Sequence, residues 1–178
     1  MFWDILIVKF AKSERIHMNC GLEYIKLSFI LVALEDSRLP PFLGSTLRGG
    51  MGTAMKGKFC KHDFITQCAD CTDKQNCKYN NLFLYSNGSD GLKGSDTKPN
   101  PFAIKPPLSR REYYKVGDLL CFDLILVGES IVEVREYIEA VKHMASQGLG
   151  YQRKPFRLDR VFYNGQVVYS DDGYDISK

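Results

Sequence analysis

Apolar residues alternate with other residues in two stretches of the chain, and this alternation predicts two buried strands. Over residues 23–35, one face holds Ile25, Leu27, Phe29, Leu31 and Ala33. Over residues 118–128, one face holds Leu120, Phe122, Leu124 and Leu126. Because successive side chains of a strand point to opposite faces, each set is expected on the core side of a sheet. The opposite face of the second strand carries a single charge, Asp123, which indicates that something covers part of it.

Two other stretches repeat apolar residues every three or four positions, which is the period of an α-helix. In residues 44–57 the apolar side holds Leu47, Met51, Ala54 and Met55. In residues 131–146 it holds Ile131, Val134, Ile138, Val141 and Ala145. Ser130 and Glu133 have the spacing of a capping box at the start of this second helix. Gly148 stands where a helix-ending glycine is typical.

Shorter signals complete the order of the elements. Residues 102–104 predict a short strand, and the alternation of Phe156, Leu158 and Phe162 predicts a longer last one. Asn164-Gly165 then predicts a two-residue hairpin turn into residues 167–169. The resulting order βαββαβ is the split βαβ arrangement, so the predicted fold class is α+β and ferredoxin-like.

Length and composition favour one globular domain. The chain has 178 residues, of which 44% are hydrophobic and 25% charged, and these values exclude a disordered chain, a collagen-like repeat and a coiled coil. We expect the domain over residues 23–169, with a cysteine-rich, irregular insertion at 58–100. Residues 1–22 are then an N-terminal extension, and residues 170–178 are a tail or a linker to an absent second domain.

The first ten residues are apolar but do not predict a membrane span. A span needs about 20 such residues, and the stretch lacks the basic start and cleavage site of a secretory signal. We expect it to form a strand or helix packed on the domain, with no membrane partner. The prediction is therefore a cytoplasmic protein with reduced thiols.

Four of the six cysteines lie close together and have the spacing of a metal site. They form the pattern C-x7-C-x2-C-x5-C, with Cys60, Cys68, Cys71 and Cys77. A two-residue gap brings two thiolates to one point, and four thiolates with no open position suit a structural Zn²⁺. Free thiols, two disulfides or an iron–sulfur cluster are the alternatives. His62 could replace one cysteine, whereas Cys20 and Cys121 are expected to be small buried residues.

Glycine and basic residues gather in two segments that predict a nucleic-acid surface. Residues 38–78 contain seven Lys and Arg against three Asp and Glu, and a second cationic group follows residue 148. Bare glycine backbone beside cations can admit a phosphodiester chain, whereas packing alone is expected to explain Gly50. The predicted RNA-binding residues are Arg48, Gly49, Gly52, Lys56, Gly148, Gly150, Arg153, Lys154 and Arg157. Tyr151 and Phe156 lie in the second group, where Tyr151 could stack on bases and Phe156 is expected in the core.

Several motifs together resemble a known family. They are LPPFLGSTLRGGMG (39–52), the cysteine pattern, KYNNLF (78–83), NPFAIKPP (100–107), GDLLCFDLILVG (117–128) and SQGLGYQRKPFRLDRV (146–161). In this order they resemble the CRISPR precursor-RNA-processing endoribonucleases of the RAMP (repeat-associated mysterious protein) superfamily. The resemblance implies an RRM-related fold, a glycine-rich loop at Gly148-Leu149-Gly150 near bound RNA, and cleavage of repeat transcripts into guide RNAs without a catalytic metal.

The resemblance leaves two functions open. An endoribonuclease needs an acid, a base and a cation at the phosphate, and His62 and Lys56 are the candidates for these roles. Family members are commonly longer and carry a histidine on or near the first helix, which residues 44–57 lack. The alternative is therefore a non-catalytic RNA-binding RAMP subunit, or a truncated member, working with other subunits of a CRISPR ribonucleoprotein.

Overall fold

The structure is a computed structural model, and it describes residues 16–17, 23–62, 68, 71–84 and 101–171. Several predicted features lie outside the described residues: the N-terminal element over residues 1–10, Cys20, residues 85–100 of the insertion, and residues 172–178 of the tail. No helix among the described residues is long and apolar enough to cross a membrane.

An antiparallel sheet forms the centre of the domain. Its strands are β1 (Ile16–His17), β2 (Glu23–Ala33), β4 (Phe102–Lys105), β6 (Leu119–Val127), β7 (Phe156–Tyr163) and β8 (Gln166–Ser170). The strand order is β4-β6-β2-β7-β8, with β1 added to β2. Two short strands, β3 (Ser37–Arg38) and β5 (Tyr113–Tyr114), pair as a separate ribbon. The α+β class and the antiparallel sheet are thus confirmed.

Two helices pack on the same face of this sheet. They are α1 (Gly44–Phe59) and α2 (Val134–Gln147). The apolar faces predicted for β2, β6 and both helices are all buried in one core. The helices approach closely at Gly50, where an added Cβ would lie 2.7 Å from a side-chain carbon of Met144. Packing therefore explains this glycine, as expected.

The prediction that Phe162 shares the core face of the last strand is wrong, and a β-bulge is the reason. Phe156 and Leu158 are buried, but the pairing of β7 with β2 shifts register between Ile30 and Leu31. One extra residue in a strand moves every later side chain to the other face. Val161 consequently takes the core position instead of Phe162.

The start of the second helix also differs from its prediction. Residues 128–133 form a 3-10 helix, and the α-helix begins only at Val134. The Ser130 hydroxyl accepts the backbone N–H of Val127 at 2.9 Å and donates to the carbonyl of Pro101 at 2.7 Å. Because Ser130 is buried, its hydroxyl needs these two backbone partners, and the predicted capping box with Glu133 does not form.

The turn at Asn164-Gly165 forms as expected. Both residues have positive φ, 49° and 77°, which a two-residue type I′ hairpin loop requires. Tyr163 pairs with Gln166 across this turn. Cys121, by contrast, is exposed and not buried, because it lies on the sheet face opposite the helices.

Part of the cysteine-rich insertion belongs to the core. Residues 80–84 form a π-helical turn, and Tyr79, Leu82 and Phe83 are buried. The Tyr137 hydroxyl of α2 donates to the Leu82 carbonyl at 2.7 Å. Aromatic contacts run from Tyr79 through Phe83 to Phe102, with centroids 5.5 Å apart at each step. The insertion is therefore attached to the domain at this end.

Candidate nucleic-acid interface

A cleft of about 700 Å³ lies between α1, the loop after α2 and the β3–β5 ribbon. We call it the α1 cleft. It brings together the two glycine-bearing segments that are about 100 residues apart in the chain. Its walls are Arg38, Leu39, Pro40, Ser45, Thr46, Gly49, Gly50, Thr53, Glu112, Gly148, Leu149, Gly150, Tyr151 and Arg153. Four of the predicted RNA-binding residues, Gly49, Gly148, Gly150 and Arg153, thus share one surface.

Backbone geometry explains both glycines of the loop. Gly148 has φ 90°, and an added Cβ would lie 2.1 Å from the backbone oxygen of Arg153. Gly150 has φ 70°, and its Cβ would lie 2.8 Å from Leu39. These glycines close a tight loop against the segment after β3. The loop in turn presents the exposed side chains of Tyr151 and Arg153.

The α1 cleft continues into a neighbouring groove along the same helix. The groove shares Ser45, Gly49 and Thr53 with the cleft. It adds Arg48, Gly52, Lys56, Tyr79 and Phe83. Gly49 is exposed with nothing within 4 Å of an added Cβ, so its backbone is open as predicted.

Gly52 is buried, and the expectation of bare, exposed backbone at this position is wrong. An added Cβ would lie 2.5 Å from the ring of Phe83, so close packing under that ring requires the glycine. Arg48 stacks its guanidinium over Phe83 at 4.9 Å and over Phe102 at 4.8 Å from the ring centroids. Such stacking holds a guanidinium in place while its edge stays able to donate.

The other two predicted basic residues lie elsewhere. Lys154 pairs with Glu35 at 2.6 Å, and Arg157 pairs with Asp159 at 3.3 Å and Asp171 at 2.9 Å. Neither residue lines the α1 cleft or the groove.

The four clustered cysteines line a second cavity, of about 490 Å³, which we call the cysteine cavity. His62 also lines it, with its Nε2 3.0 Å from a carboxylate oxygen of Asp73. Among the described residues, no three His, Cys, Asp or Glu side chains are close enough to share one metal ion. Zinc binding would require the thiols to move toward one another within this cavity.

The two candidate catalytic residues are not brought together. His62 lines the cysteine cavity, whereas Lys56 lines the groove beside Arg48. No histidine is among the described residues that line the α1 cleft. His143 is exposed on α2, as its position opposite the apolar stripe predicts.

Ion pairs attach the cysteine-rich segment to α2. Lys58 lies 2.6 Å and Lys78 3.3 Å from the carboxylate of Glu136. Partial burial raises the pKa of Glu136. The hydrogen bonds and charges of Lys58 and Lys78 lower this pKa by more than burial raises it, so the net pKa is below its ordinary value. The charged form of Glu136 is therefore stabilised in the fold.

The β3–β5 ribbon contributes to the cleft in a way that the sequence pattern did not predict. Arg38 lies 3.1 Å from Glu112 and 5.3 Å from the ring centroid of Tyr113. The side-chain hydrogen bond from Arg38 to Glu112 raises the pKa of this guanidinium. The run Arg110, Arg111, Glu112, Tyr113 and Tyr114 was the available signal, since it combines cations with aromatic rings.

The fold and the cleft define the class of the protein as an α+β domain with an antiparallel sheet and a basic cleft on its helical side. The chain matches the AF_1859_N family, described as an N-terminal domain, over residues 22–178, and it belongs to that family. It is similar to an uncharacterized protein of Archaeoglobus fulgidus, with 24% identity over 163 residues, covering 87% of this chain and 54% of the relative. The chain therefore spans about half the length of that relative.

A solved structure is also similar to this chain. It is the crystal structure of the Csm3-Csm4 subcomplex in the type III-A CRISPR-Cas interference complex. The TM-score is 0.49 and the identity 18%, with 78% of this chain and 76% of that chain covered.

Proposed function

We propose that this chain is an RNA-binding RAMP domain that works as a non-catalytic subunit of a CRISPR ribonucleoprotein. The observation that carries the proposal is the α1 cleft, in which the glycine loop and the exposed face of α1 meet beside Arg153. The motif resemblance supports RNA as the ligand. No histidine is among the described lining residues, and this favours binding over cleavage.

Charge-removing variants test the proposal. Arg153→Gln and Arg48→Gln should weaken binding to repeat RNA, and each lost phosphate contact should lower the salt slope of log K by roughly 0.7. Arg160→Gln is the matched control, because it removes the same charge from an exposed side chain of β7 that pairs with Asp159. Equal affinities and slopes for all four proteins, wild type included, would remove the cleft as the RNA site.

A second candidate is a metal-independent endoribonuclease, favoured by the position of His62 among basic residues. The cysteine cavity that holds His62 is also lined by Lys58, Lys61, Lys74 and Lys78. A histidine can transfer the proton of the ribose 2′-hydroxyl, and a lysine can stabilise the phosphate charge. The guide-RNA-processing activity then belongs to this cavity, with Lys56 acting from the neighbouring groove.

Cleavage of repeat RNA by the His62→Ala variant separates the two candidates. If His62 is a catalytic acid or base, the variant should cleave about 10²–10⁴-fold more slowly, with RNA affinity retained. Cleavage should need no added divalent metal ion, because the proton transfers need no catalytic metal. Equal rates in both proteins would exclude His62, and no cleavage by either favours the binding subunit.

We also propose that the cysteine cavity holds one structural zinc ion on Cys60, Cys68, Cys71 and Cys77. The C-x2-C spacing and the shared cavity support this proposal. Metal analysis of the purified protein should find one zinc per chain, and an iron–sulfur cluster would instead give visible absorbance. Absence of metal together with titration of all six cysteines as free thiols would contradict it.

A further inference from the structure

Exposed aromatic side chains are concentrated around the α1 cleft. Among the large apolar side chains exposed in the described part of the chain, three are aromatic: Phe42, Tyr113 and Tyr151. Tyr151 is 100% exposed, Phe42 66% and Tyr113 65%. Rings this large are seldom left in water, because their burial is favourable. Their common neighbourhood therefore suggests a shared ligand.

Each ring is attached to a wall of the cleft. Tyr151 lines the cleft directly, on the loop that Gly148 and Gly150 close. Tyr113 lies against Arg38, which lines the cleft from the β3–β5 ribbon. The ring of Phe42 lies over Gly44, whose added Cβ would be 2.7 Å from it, next to the cleft residue Ser45.

The polar groups between the rings suit a phosphodiester chain better than an apolar protein partner. Arg153 supplies net positive charge, Arg38 supplies a guanidinium donor, and the lining includes the hydroxyl-bearing residues Ser45 and Thr46. Glu112 is the one carboxylate among the described lining residues, and Arg38 pairs with it at 3.1 Å. A surface that alternates cations with exposed rings is typical of proteins that bind single-stranded nucleic acid.

We propose that Tyr113 and Tyr151 are base-stacking platforms and that Phe42 adds a third at the entrance of the cleft. This inference rests on the proposed function and specifies its ligand as single-stranded RNA with unstacked bases. The bases lie on the rings, while Arg38, Arg153 and the hydroxyls of Ser45 and Thr46 contact the RNA backbone. Duplex RNA is excluded from these contacts, because its bases already stack on one another.

A comparison of normal and abasic RNA tests the stacking directly. The two probes are a short oligoadenylate and an abasic oligoribonucleotide of equal length, which carries the same phosphates without bases. Tyr151→Ala and Tyr113→Ala should each weaken oligoadenylate binding roughly 5- to 100-fold, and Tyr151→Ala should leave the salt slope unchanged. Tyr151→Ala should not weaken binding of the abasic strand, and Tyr151→Phe should bind oligoadenylate as the wild type does.

The control variant is Val132→Ala, which shortens an exposed apolar side chain on the 3-10 turn before α2 and should change nothing. If the tyrosine variants bind oligoadenylate with wild-type affinity while Arg153→Gln weakens it, stacking is overturned and the RNA-binding function stands. Stacking is also overturned, and the RNA-binding function again stands, if annealing the oligoadenylate to oligouridylate strengthens binding. If the wild-type protein binds neither probe, both the stacking and the proposed function are overturned.

Discussion

The α1 cleft and the cysteine cavity lie at different ends of α1 and are built in different ways. The cleft is shaped by close packing at glycines: an added Cβ would lie 2.1 Å from the backbone oxygen of Arg153 at Gly148 and 2.8 Å from the Leu39 side chain at Gly150. The cysteine cavity is held by side chains, through the ion pairs of Lys58 and Lys78 with α2 and the aromatic contacts of Phe83. Close packing fixes one geometry, whereas ion pairs at partly exposed positions stabilise the fold only weakly.

This difference predicts which region keeps its shape without a ligand. The cleft has its walls in place, so binding costs little reorganisation there. The cysteine cavity has its thiols on one surface but not within reach of a common ion. A metal would therefore contribute stability to that region, because its ligands must be drawn together on binding.

The largest effect is expected from Gly148→Ala. The added methyl collides with the backbone oxygen of Arg153, and the positive φ is unfavourable as well, so we expect a loss of about 3 kcal/mol or more in the free energy of unfolding. Gly117→Ala is the control, since it also has positive φ but nothing within 4 Å, and it should cost about 1 kcal/mol. Urea denaturation measures both; equal losses would mean that the backbone contact does not shape the cleft.

Removal of the metal should give the next largest effect. If the cysteine cavity holds zinc, a strong chelator should lower the free energy of unfolding by about 2–3 kcal/mol. Cys68→Ser should be insensitive to the chelator, whereas the exposed Cys121→Ser should respond as the wild type does. Thermal unfolding with and without chelator is the measurement, and an unchanged midpoint for the wild type would contradict the proposal.

The Glu136 ion pairs should contribute less, and their contribution should depend on pH. The folded-state pKa of Glu136 is lowered from 4.5, so the stabilisation is complete above the unfolded pKa and is lost as the pH falls through the folded one. Glu136→Gln should cost about 1 kcal/mol at pH near 7, and the difference should vanish in acid. Denaturation curves across this range test the sign, and a gap that widens in acid would reverse it.

The smallest effect is expected from Gly49→Ala. The position is exposed, helical and open, so alanine should stabilise the fold by about 0.5–1 kcal/mol. The same methyl should weaken RNA binding if RNA approaches the bare backbone. A more stable variant with unchanged affinity would show that RNA does not contact this turn of α1.

Period and alternation along the chain predict most of the fold, because a buried face repeats within a short window. The core faces of β2, β6, α1 and α2 were all predictable in this way. The bulge that turns Phe162 away from the core was not, since it depends on how β7 pairs with β2. The hydrogen bond from Ser130 to Pro101 was not predictable either, because Pro101 is distant in the sequence and the bond depends on the fold.

The candidate site was predictable only in part. The glycine and basic residues of the sequence indicated two walls of the cleft. They did not indicate the role of each glycine: Gly52 makes room for the ring of Phe83, and Gly150 makes room for Leu39. The pairing of Arg38 with Tyr113 joins segments about 75 residues apart. Two-residue strands carry no periodic signal, so this wall of the cleft required the structure.

The stacking of Arg48 makes the two regions thermodynamic partners. This side chain lines the groove beside the cleft, yet one of its supporting rings, Phe83, belongs to the cysteine-rich insertion, and the other, Phe102, to the edge strand β4. Any event that restricts the ring of Phe83 also restricts the rotamers of Arg48, and a ligand held by Arg48 restricts Phe83 in return. By reciprocity, a metal that tightens RNA binding must itself be bound more tightly, by the same factor, in the presence of RNA.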